Sequence, residues 1–342
     1  QGAISILEGL GCIDTLCFGS ECGELSVLQH IAQLLLSESD TYSHMLQDAL
    51  KKGHSFPAAR HQALEKLTGD ASVSQILSEP NNILGIEYLK ALKKQNSRMV
   101  PYTLKRDSSG YHDTKLQPQS SSASAIRNAL RHWEEQPFSR YPADPQQTPD
   151  GFSELLQNQL PENALRLLRD AWNQSCPIET NDFSLLLKYR LLCETRRSLC
   201  EYQDISEDLA NRIIRNRNQF LNFEQFCQLL KTKELTYSRI SRCLLHILLA
   251  VKKEDMLRYR ESSCIYTRIL GFRKEHADVL RQIKENASIP VITKLGQTDS
   301  LLPETIRMLD QTTFASDLYE SVVSDKFGIP FINEYQKQII HV

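Results

Sequence analysis

The sequence predicts an α/β domain followed by an α-helical domain. Short apolar segments alternate with helical periodicity in the first third of the chain, whereas helical periodicity alone dominates beyond residue 151. The stretch between these two parts is rich in prolines, which neither a helix interior nor a central strand tolerates. Its prolines are Pro137, Pro142, Pro145 and Pro149. We therefore expect an α/β part over residues 1–135, a linker over 136–151 and a helical part over 152–342.

The elements of the first part are predicted from apolar patterning. Ile13–Phe18 has the composition of a strand, and a helical pattern follows it through Leu25 and Leu35. Met99–Leu104 is a second strand candidate, and the helical run Ile83–Lys94 precedes it. Strand, helix and strand in this order are typical of a parallel, open α/β sheet. The polar stretch 107–122 is expected to form a mobile loop.

The elements of the second part are predicted from helical periodicity. The predicted helices are 152–160, 161–173, 182–194, 206–218, 222–231, 236–251 and 266–286. The segment from Ile289 to the end is expected to be less regular and to wrap back on the rest of the chain.

Composition excludes several classes of protein. The 342 residues are 41% hydrophobic and 24% charged, and the net charge is −2, so the chain as a whole is not a cationic nucleic-acid coat. The longest apolar stretch, 243–251, is far below the roughly 20 residues that span a bilayer. None of the nine cysteines forms a Cys-x-x-Cys pair, which favours free thiols over a zinc site and predicts a reducing, cytoplasmic location.

Three candidate ligand-binding positions follow predicted strands or open a predicted helix, where open α/β sheets bind their ligands. Gly19, at the end of the first strand, would let a base or ribose approach the backbone. In the pair Asn81-Asn82, one residue is expected to cap the helix, which leaves the other amide for a nucleotide. Arg106 follows the second strand and would hold a phosphate with its planar guanidinium group. Turn, cap and surface roles explain the same residues without any ligand.

A fourth candidate position is the helix start at Ser122-Ala123-Ser124-Ala125-Ile126-Arg127. Free backbone N–H groups at a helix N-terminus favour an anion, and Ser124 and Arg127 share one face of the helix. A capping serine followed by a paired arginine has the same sequence pattern.

The helical part carries a local surplus of positive charge. Between residues 209 and 274, fourteen Lys and Arg residues face five Asp and Glu residues, a net charge of +9 in a chain whose total is −2. Around the predicted helix 236–251, Arg239, Arg242, His246 and Lys253 fall on one arc and the apolar residues on another. This pattern favours a surface for a nucleic-acid phosphate backbone, although a solvated face balanced by acidic neighbours also fits it. The candidate contacts are Arg212, Arg215, Lys231, Lys233, Arg239, Arg242 and Lys253.

Several motifs together resemble those of the bacterial tRNA(Met) cytidine acetate ligase family, in order and spacing, from the first residue to about Leu295. The motifs are Phe18-Gly19-Ser20-Glu21, Gly53-His54-Ser55-Phe56-Pro57-Ala58, Pro80-Asn81-Asn82-Ile83-Leu84-Gly85, Tyr111-His112-Asp113, Ser122-Ala123-Ser124-Ala125-Ile126-Arg127, Leu229-Leu230-Lys231-Thr232-Lys233 and Arg239-Ile240.

The resemblance implies a nucleotidyltransferase domain of the HUP type, related to class I tRNA synthetases. Members of the family use ATP to convert acetate to acetyladenylate, and then acetylate the exocyclic amine of the wobble cytidine of elongator tRNA(Met). By resemblance, Gly19, Asn81 and Arg106 match the family's ATP contacts, and Mg²⁺ is expected to accompany the ATP. The family's histidine-containing ATP motif lies upstream of Gln1. We therefore expect this chain to be a fragment that activates acetate poorly.

Two other functions remain open from the sequence. A small-molecule adenylyltransferase would use the same sheet and the same helix starts, but it would not need the basic helical region. A noncatalytic RNA-binding protein would need only that region, and its binding of tRNA would not depend on Arg106.

Overall fold

The structure of the protein is a computed structural model. It describes residues 1–36, 40–54, 56–69, 71–106, 115–117, 121–134, 155–156, 158–261, 265–296, 298 and 300–342. The chain divides into two compact units, the first formed by 1–169 with 278–289 and the second by 170–277 with 290–342. The predicted linker 136–151 and the motif Tyr111-His112-Asp113 lie outside the described residues, so the predicted domain boundaries stay a prediction.

The first unit contains two parallel strands and the helices around them. In chain order they are α1 (Gly2–Gly9), β1 (Thr15–Ser20), α2 (Leu25–Leu36), α3 (Asp40–Lys51), α4 (Phe56–Thr68), α5 (Ala71–Ile76), α6 (Pro80–Lys94), β2 (Val100–Lys105) and α7 (Ala123–Glu134). Helix α8 (Glu162–Ala171) begins in this unit. The strands pair in parallel from Thr15↔Val100 to Ser20↔Lys105, which confirms the predicted strand–helix–strand order with each strand one or two residues later than expected.

Alternation along β1 decides which side chains enter the core of the first unit. Phe18 and Ser20 are buried, whereas Cys17 and Gly19 on the opposite face are exposed. Phe18 joins a cluster formed mainly by the buried faces of α2 and α6, including Leu28 and Ile86. Burial of these apolar side chains fixes α6 against β1, so the beginning of α6 lies beside the end of the strand.

The second unit is mainly helical. Its helices are α9 (Ser184–Cys193), α10 (Arg196–Leu199), α11 (Glu207–Asn216), α12 (Phe223–Leu230), α13 (Tyr237–Leu248), α14 (Lys253–Glu261) and α16 (Pro303–Phe327), and α15 (Ala277–Asn286) passes into the first unit. Side chains of Ser206, Asn222 and Thr236 cap α11, α12 and α13 by accepting backbone N–H groups. The predicted apolar arc of α13 is confirmed, because Ile240 and Ile247 are fully buried in the main core of this unit.

Two expectations for the second unit were wrong. The predicted helix 266–286 begins only at Ala277, because the preceding residues form β3 (Thr267–Arg268) and β4 (Gly271–Phe272). These pair in parallel with β5 (Val291–Ile292) and β6 (Ile340–His341). Such pairing depends on distant residues, which local periodicity does not reveal. The tail, expected to be less regular than the preceding helices, contains the 25-residue helix α16, with Pro303 at its start and Gly328 in a left-handed conformation at its end.

The described part of the chain contains no helix with the length and apolar character needed to cross a bilayer.

Candidate nucleotide-binding site and basic surface

Gly19 and Arg106 lie side by side at the carboxyl end of the two-stranded sheet. Gly19 pairs with Leu104 across the sheet, and the backbone N–H of Arg106 donates to the carbonyl of Ser20 at 2.9 Å, one residue beyond β2. A Cβ atom at position 19 would lie 3.3 Å from Cγ of Arg106. The Arg106 side chain therefore lies against the Gly19 backbone, and a larger residue at position 19 would push it aside.

The side chain of Glu21, the residue that follows β1, caps the start of α6. Oε2 of Glu21 accepts the backbone N–H of Asn82 at 2.9 Å, and Oε1 accepts the side-chain amide Nδ2 of Asn81 at 2.6 Å. Burial opposes the charge of Glu21, but hydrogen bonds from the Asn81 side chain and from nearby backbone N–H groups outweigh burial and lower its pKa. The predicted capping asparagine was wrong, because Glu79 is the N-cap residue and Glu21 accepts the free N–H groups.

The two neighbouring asparagines have different roles. Asn82 is buried, its Oδ1 accepts the backbone N–H of Cys22 at 3.0 Å, and its Nδ2 donates to the carbonyl of Ile76 at 3.1 Å. Asn82 is therefore committed to the fold. Asn81 lines an adjacent cavity, so it is the asparagine that remains available to a ligand.

The cavity has a volume of about 290 Å³ and brings three of the five predicted nucleotide contacts together, namely Gly19, Asn81 and Arg106. Its walls come from α1, β1 and α6, and Arg106 is the one cationic side chain among the described residues that line it. Ligand sites start at roughly 300 Å³, so the cavity suits one moiety of a nucleotide. An apolar wall with one cation and one amide suits a base or ribose joined to a phosphate.

The other two predicted contacts, Ser124 and Arg127, do not line this cavity. Both lie on α7, whose first turn is capped by Ser122, because the Ser122 hydroxyl accepts the backbone N–H of Ala125 at 3.0 Å. Ser124 is half-buried and Arg127 is exposed. Their role in binding a nucleotide stays a prediction.

Gly85 shapes the floor of the cavity. A Cβ atom at this position would lie 2.5 Å from Cε2 of Phe18, whose ring also packs edge-on against Tyr88 at 5.9 Å between ring centroids. Because Phe18 is buried on β1, its ring has little room to move. The absence of a side chain at Gly85 therefore allows α6 to approach the strand closely.

We expect Gly85→Val to lower the free energy of unfolding by about 1–3 kcal/mol, because the added methyl groups overpack the core at Phe18. Urea unfolding followed by circular dichroism measures this change. Gly2→Val is the matched control, since a Cβ atom at Gly2 meets nothing within 4 Å. An equal change for both substitutions would contradict the close packing described at Gly85.

Three of the seven predicted tRNA contacts are used within the second unit. Arg212 donates to the carbonyls of Leu229 and Lys231 at the end of α12. Nε of Arg242 donates to Oδ2 of Asp204 at 3.1 Å. The two bonds from Arg212 hold α11 to α12, and the bond from Arg242 holds α13 to the loop before α11.

The third of these contacts, Lys253, does not share a helix face with Arg242, contrary to the prediction. Helix α13 ends at Leu248 because Ala250 has a left-handed backbone conformation (φ 54°), and Lys253 begins α14 instead. Its Nζ donates to the carbonyls of Cys200 at 2.6 Å and Ile205 at 2.9 Å. Lys253 therefore stabilises the turn between α10 and α11.

The remaining four predicted contacts are exposed, and within the described residues their side chains have no hydrogen-bond or ion-pair partner. We call them the basic surface; it consists of Arg215, Lys231, Lys233 and Arg239. Arg215 is in the last turn of α11, and the bonds from Arg212 hold that helix beside the end of α12. Lys231 and Lys233 lie in the connection between α12 and α13, and Arg239 lies in the first turn of α13. Unpaired cations concentrated on adjoining elements are typical of phosphate contacts.

Within the described residues, no three His, Cys, Asp or Glu side chains are grouped closely enough to hold a metal ion. The eight cysteines that the structure describes are free thiols.

Comparisons with known proteins identify the family. The family model described as HIGH Nucleotidyl Transferase matches residues 1–329. A tRNA(Met) cytidine acetate ligase from Caldanaerobacter subterraneus subsp. tengcongensis is 36% identical over 319 residues, which cover 93% of this chain and 74% of the relative. The protein of the same name from Clostridium acetobutylicum is 37% identical over 304 residues, which cover 86% of this chain and 70% of the relative.

Solved structures agree with the sequence comparison. The crystal structure of apo Thermotoga maritima TmcAL matches with a TM-score of 0.85 and 26% identity, covering 100% of this chain and 80% of that protein. The structure of TmcAL bound with alpha-thio ATP matches with a TM-score of 0.82 and 25% identity, covering 99% and 79% of the two chains. The predicted nucleotidyltransferase fold and the family resemblance are thereby confirmed: the chain belongs to the HIGH Nucleotidyl Transferase family, together with relatives named tRNA(Met) cytidine acetate ligase.

Proposed function

We propose that the protein uses ATP to activate acetate and then transfers the acetyl group to the wobble cytidine of elongator tRNA(Met), forming N4-acetylcytidine. The observation that carries this proposal is the cavity that joins Gly19, Asn81 and Arg106, in a chain whose relatives are named for this ligase activity. ATP as the nucleotide is supported by the TmcAL structure with an ATP analogue. These substrates and the free thiols favour a cytoplasmic location.

The chemistry requires two steps because a carboxylate is a poor electrophile. In the first step, an acetate oxygen attacks the α-phosphorus of ATP, acetyladenylate forms and pyrophosphate leaves. In the second step, the cytidine N4 amine attacks the acetyl carbonyl, AMP leaves and the amine loses a proton. Arg106 would hold phosphate oxygens, and Mg²⁺ bound to the triphosphate would share their charge. Positioning of the reactants is the main contribution expected of such a site.

Delivery of the tRNA is assigned to the basic surface of the second unit. Its four cations lack competing acidic partners within the described residues, so phosphates of the RNA would neutralise them. Phosphate contacts fix the position of an RNA, and other contacts read the unpaired anticodon bases.

Two assays on the protein test the proposed function. We expect ATP–pyrophosphate exchange to require acetate, and label from acetate to enter elongator tRNA(Met) only when ATP is present. Exchange that requires a different small-molecule acceptor in place of acetate would instead indicate a small-molecule adenylyltransferase. Binding of tRNA with neither exchange nor labelling would indicate a noncatalytic RNA-binding protein and would contradict the proposal.

A further inference from the structure

We propose that Glu21 is a positioning residue that orients the Asn81 amide, so that Asn81 Oδ1 accepts a hydrogen bond from a donor group of the nucleotide. The donor is either the adenine amine or a ribose hydroxyl. This inference rests on the proposed use of ATP and adds to it a residue that sets selectivity for the ligand.

The orientation of the Asn81 amide follows from the chemistry of its partner. An ionised carboxylate only accepts hydrogen bonds, so the amide group that faces Glu21 at 2.6 Å must be the NH₂ group. Both carboxylate oxygens also accept backbone N–H groups of α6, at 3.3 Å from Asn81 and 2.9 Å from Asn82. These bonds lower the pKa of Glu21, which keeps the carboxylate ionised at neutral pH.

With Nδ2 committed to Glu21, the amide atom of Asn81 that remains for a ligand is Oδ1. Asn81 lines the cavity with Gly19 and Arg106, and within the described residues its Oδ1 has no hydrogen-bond partner. The neighbouring Asn82 differs in that both of its amide atoms bond to the protein. A fixed acceptor at the cavity favours ligands with an N–H or O–H group at that point and disfavours a carbonyl oxygen there.

Binding of ATP analogues to the protein separates the two donor groups. Inosine triphosphate replaces the adenine amine by a carbonyl, purine riboside triphosphate removes it, and 2′-deoxy-ATP and 3′-deoxy-ATP each lack one hydroxyl. We expect the analogues that lack the correct donor to bind at least about tenfold more weakly than ATP, because an unpaired polar group is left in the site. Weaker binding of inosine triphosphate and purine riboside triphosphate would identify the adenine amine as the donor. Weaker binding of one deoxy analogue would identify the hydroxyl that this analogue lacks.

Variants then test whether Glu21 acts through Asn81. In Asn81→Ala, the ratio of the dissociation constants of the rejected analogue and ATP should fall to near one. Glu21→Gln should lower the same ratio, because a glutamine side chain can both donate and accept a hydrogen bond. The Asn81 amide can then rotate by about 180°, which exchanges the positions of its oxygen and nitrogen. Adding Glu21→Gln to Asn81→Ala should leave the ratio unchanged, because the two residues act as one unit.

A merely structural role of Glu21 would have a different signature. Loss of the cap on α6 would lower the melting temperature and weaken the binding of all nucleotides equally. The ratio of the dissociation constants of the analogue and ATP would then stay unchanged. That result, or equal affinity of the wild-type protein for ATP and every analogue, would overturn the inference while ATP binding still supports the proposed function. Absence of ATP binding by the wild-type protein would contradict the proposed function as well.

Discussion

Neutralising the four cations of the basic surface is expected to weaken binding of tRNA about a hundredfold at low salt. Each cation that contacts a phosphate releases counterions from the RNA, so the logarithm of the binding constant falls with the logarithm of salt concentration by about 0.7–0.9 per contact. Loss of four contacts should reduce this slope by about three. The test variant replaces Arg215, Lys231, Lys233 and Arg239 together by glutamine. Its binding of labelled tRNA, measured from low to high salt, gives both the affinity and the salt slope.

The matched control removes the same charge from the first unit. Four exposed cations of the first unit that do not belong to the basic surface are chosen for this control: Lys51, Lys52, Lys94 and Arg98. Substitution of all four by glutamine should leave the salt slope within about one of the wild-type value. If both quadruple variants lost affinity equally, net charge alone would explain binding and the basic surface would not be the tRNA contact.

We expect Arg106→Ala to weaken ATP binding about ten- to one hundredfold, because a charge-assisted hydrogen bond to a phosphate is worth about 1.5–3 kcal/mol. Among the described residues of the cavity, no second cation is present to replace it. Arg106→Lys should recover part of the loss, since it keeps the charge but not the planar guanidinium group. Isothermal titration with ATP measures these dissociation constants, and circular dichroism checks that the variants are folded.

Arg98→Ala is the control for this effect. Arg98 is exposed and precedes β2, whereas Arg106 follows the same strand, so the two arginines lie at opposite ends of the sheet. An equal loss of ATP affinity in both variants would point to a general electrostatic effect. An Arg106→Ala variant with wild-type affinity would remove Arg106 from the site.

Local rules of sequence predict the parts of the site that depend on local structure. Parallel strands place their carboxyl ends at the same edge of the sheet. This edge therefore brings together the glycine at the end of one strand, the arginine after the next strand and an asparagine at the start of the intervening helix. The apolar arc of α13 is predictable for the same reason, since its period of 3.6 residues reflects the single core on which it packs.

Other features depend on contacts between residues far apart in the sequence. Glu21 caps a helix that begins about sixty residues later, and the paired strands β3 and β5 are each two residues long. No periodicity marks such contacts. The left-handed Ala250, which ends α13 and separates Lys253 from Arg242, also carries no glycine or proline signal. The polar threonines Thr305 and Thr313, buried on α16, weaken the apolar pattern of that helix.

The location of bound ATP tests the central claim most directly. A crystal structure of the protein with a nonhydrolysable ATP analogue gives this location. We predict that the nucleotide lies against the Gly19 backbone, with the guanidinium of Arg106 on a phosphate oxygen and Oδ1 of Asn81 facing a ligand donor. A nucleotide bound out of contact with all three residues would contradict the account.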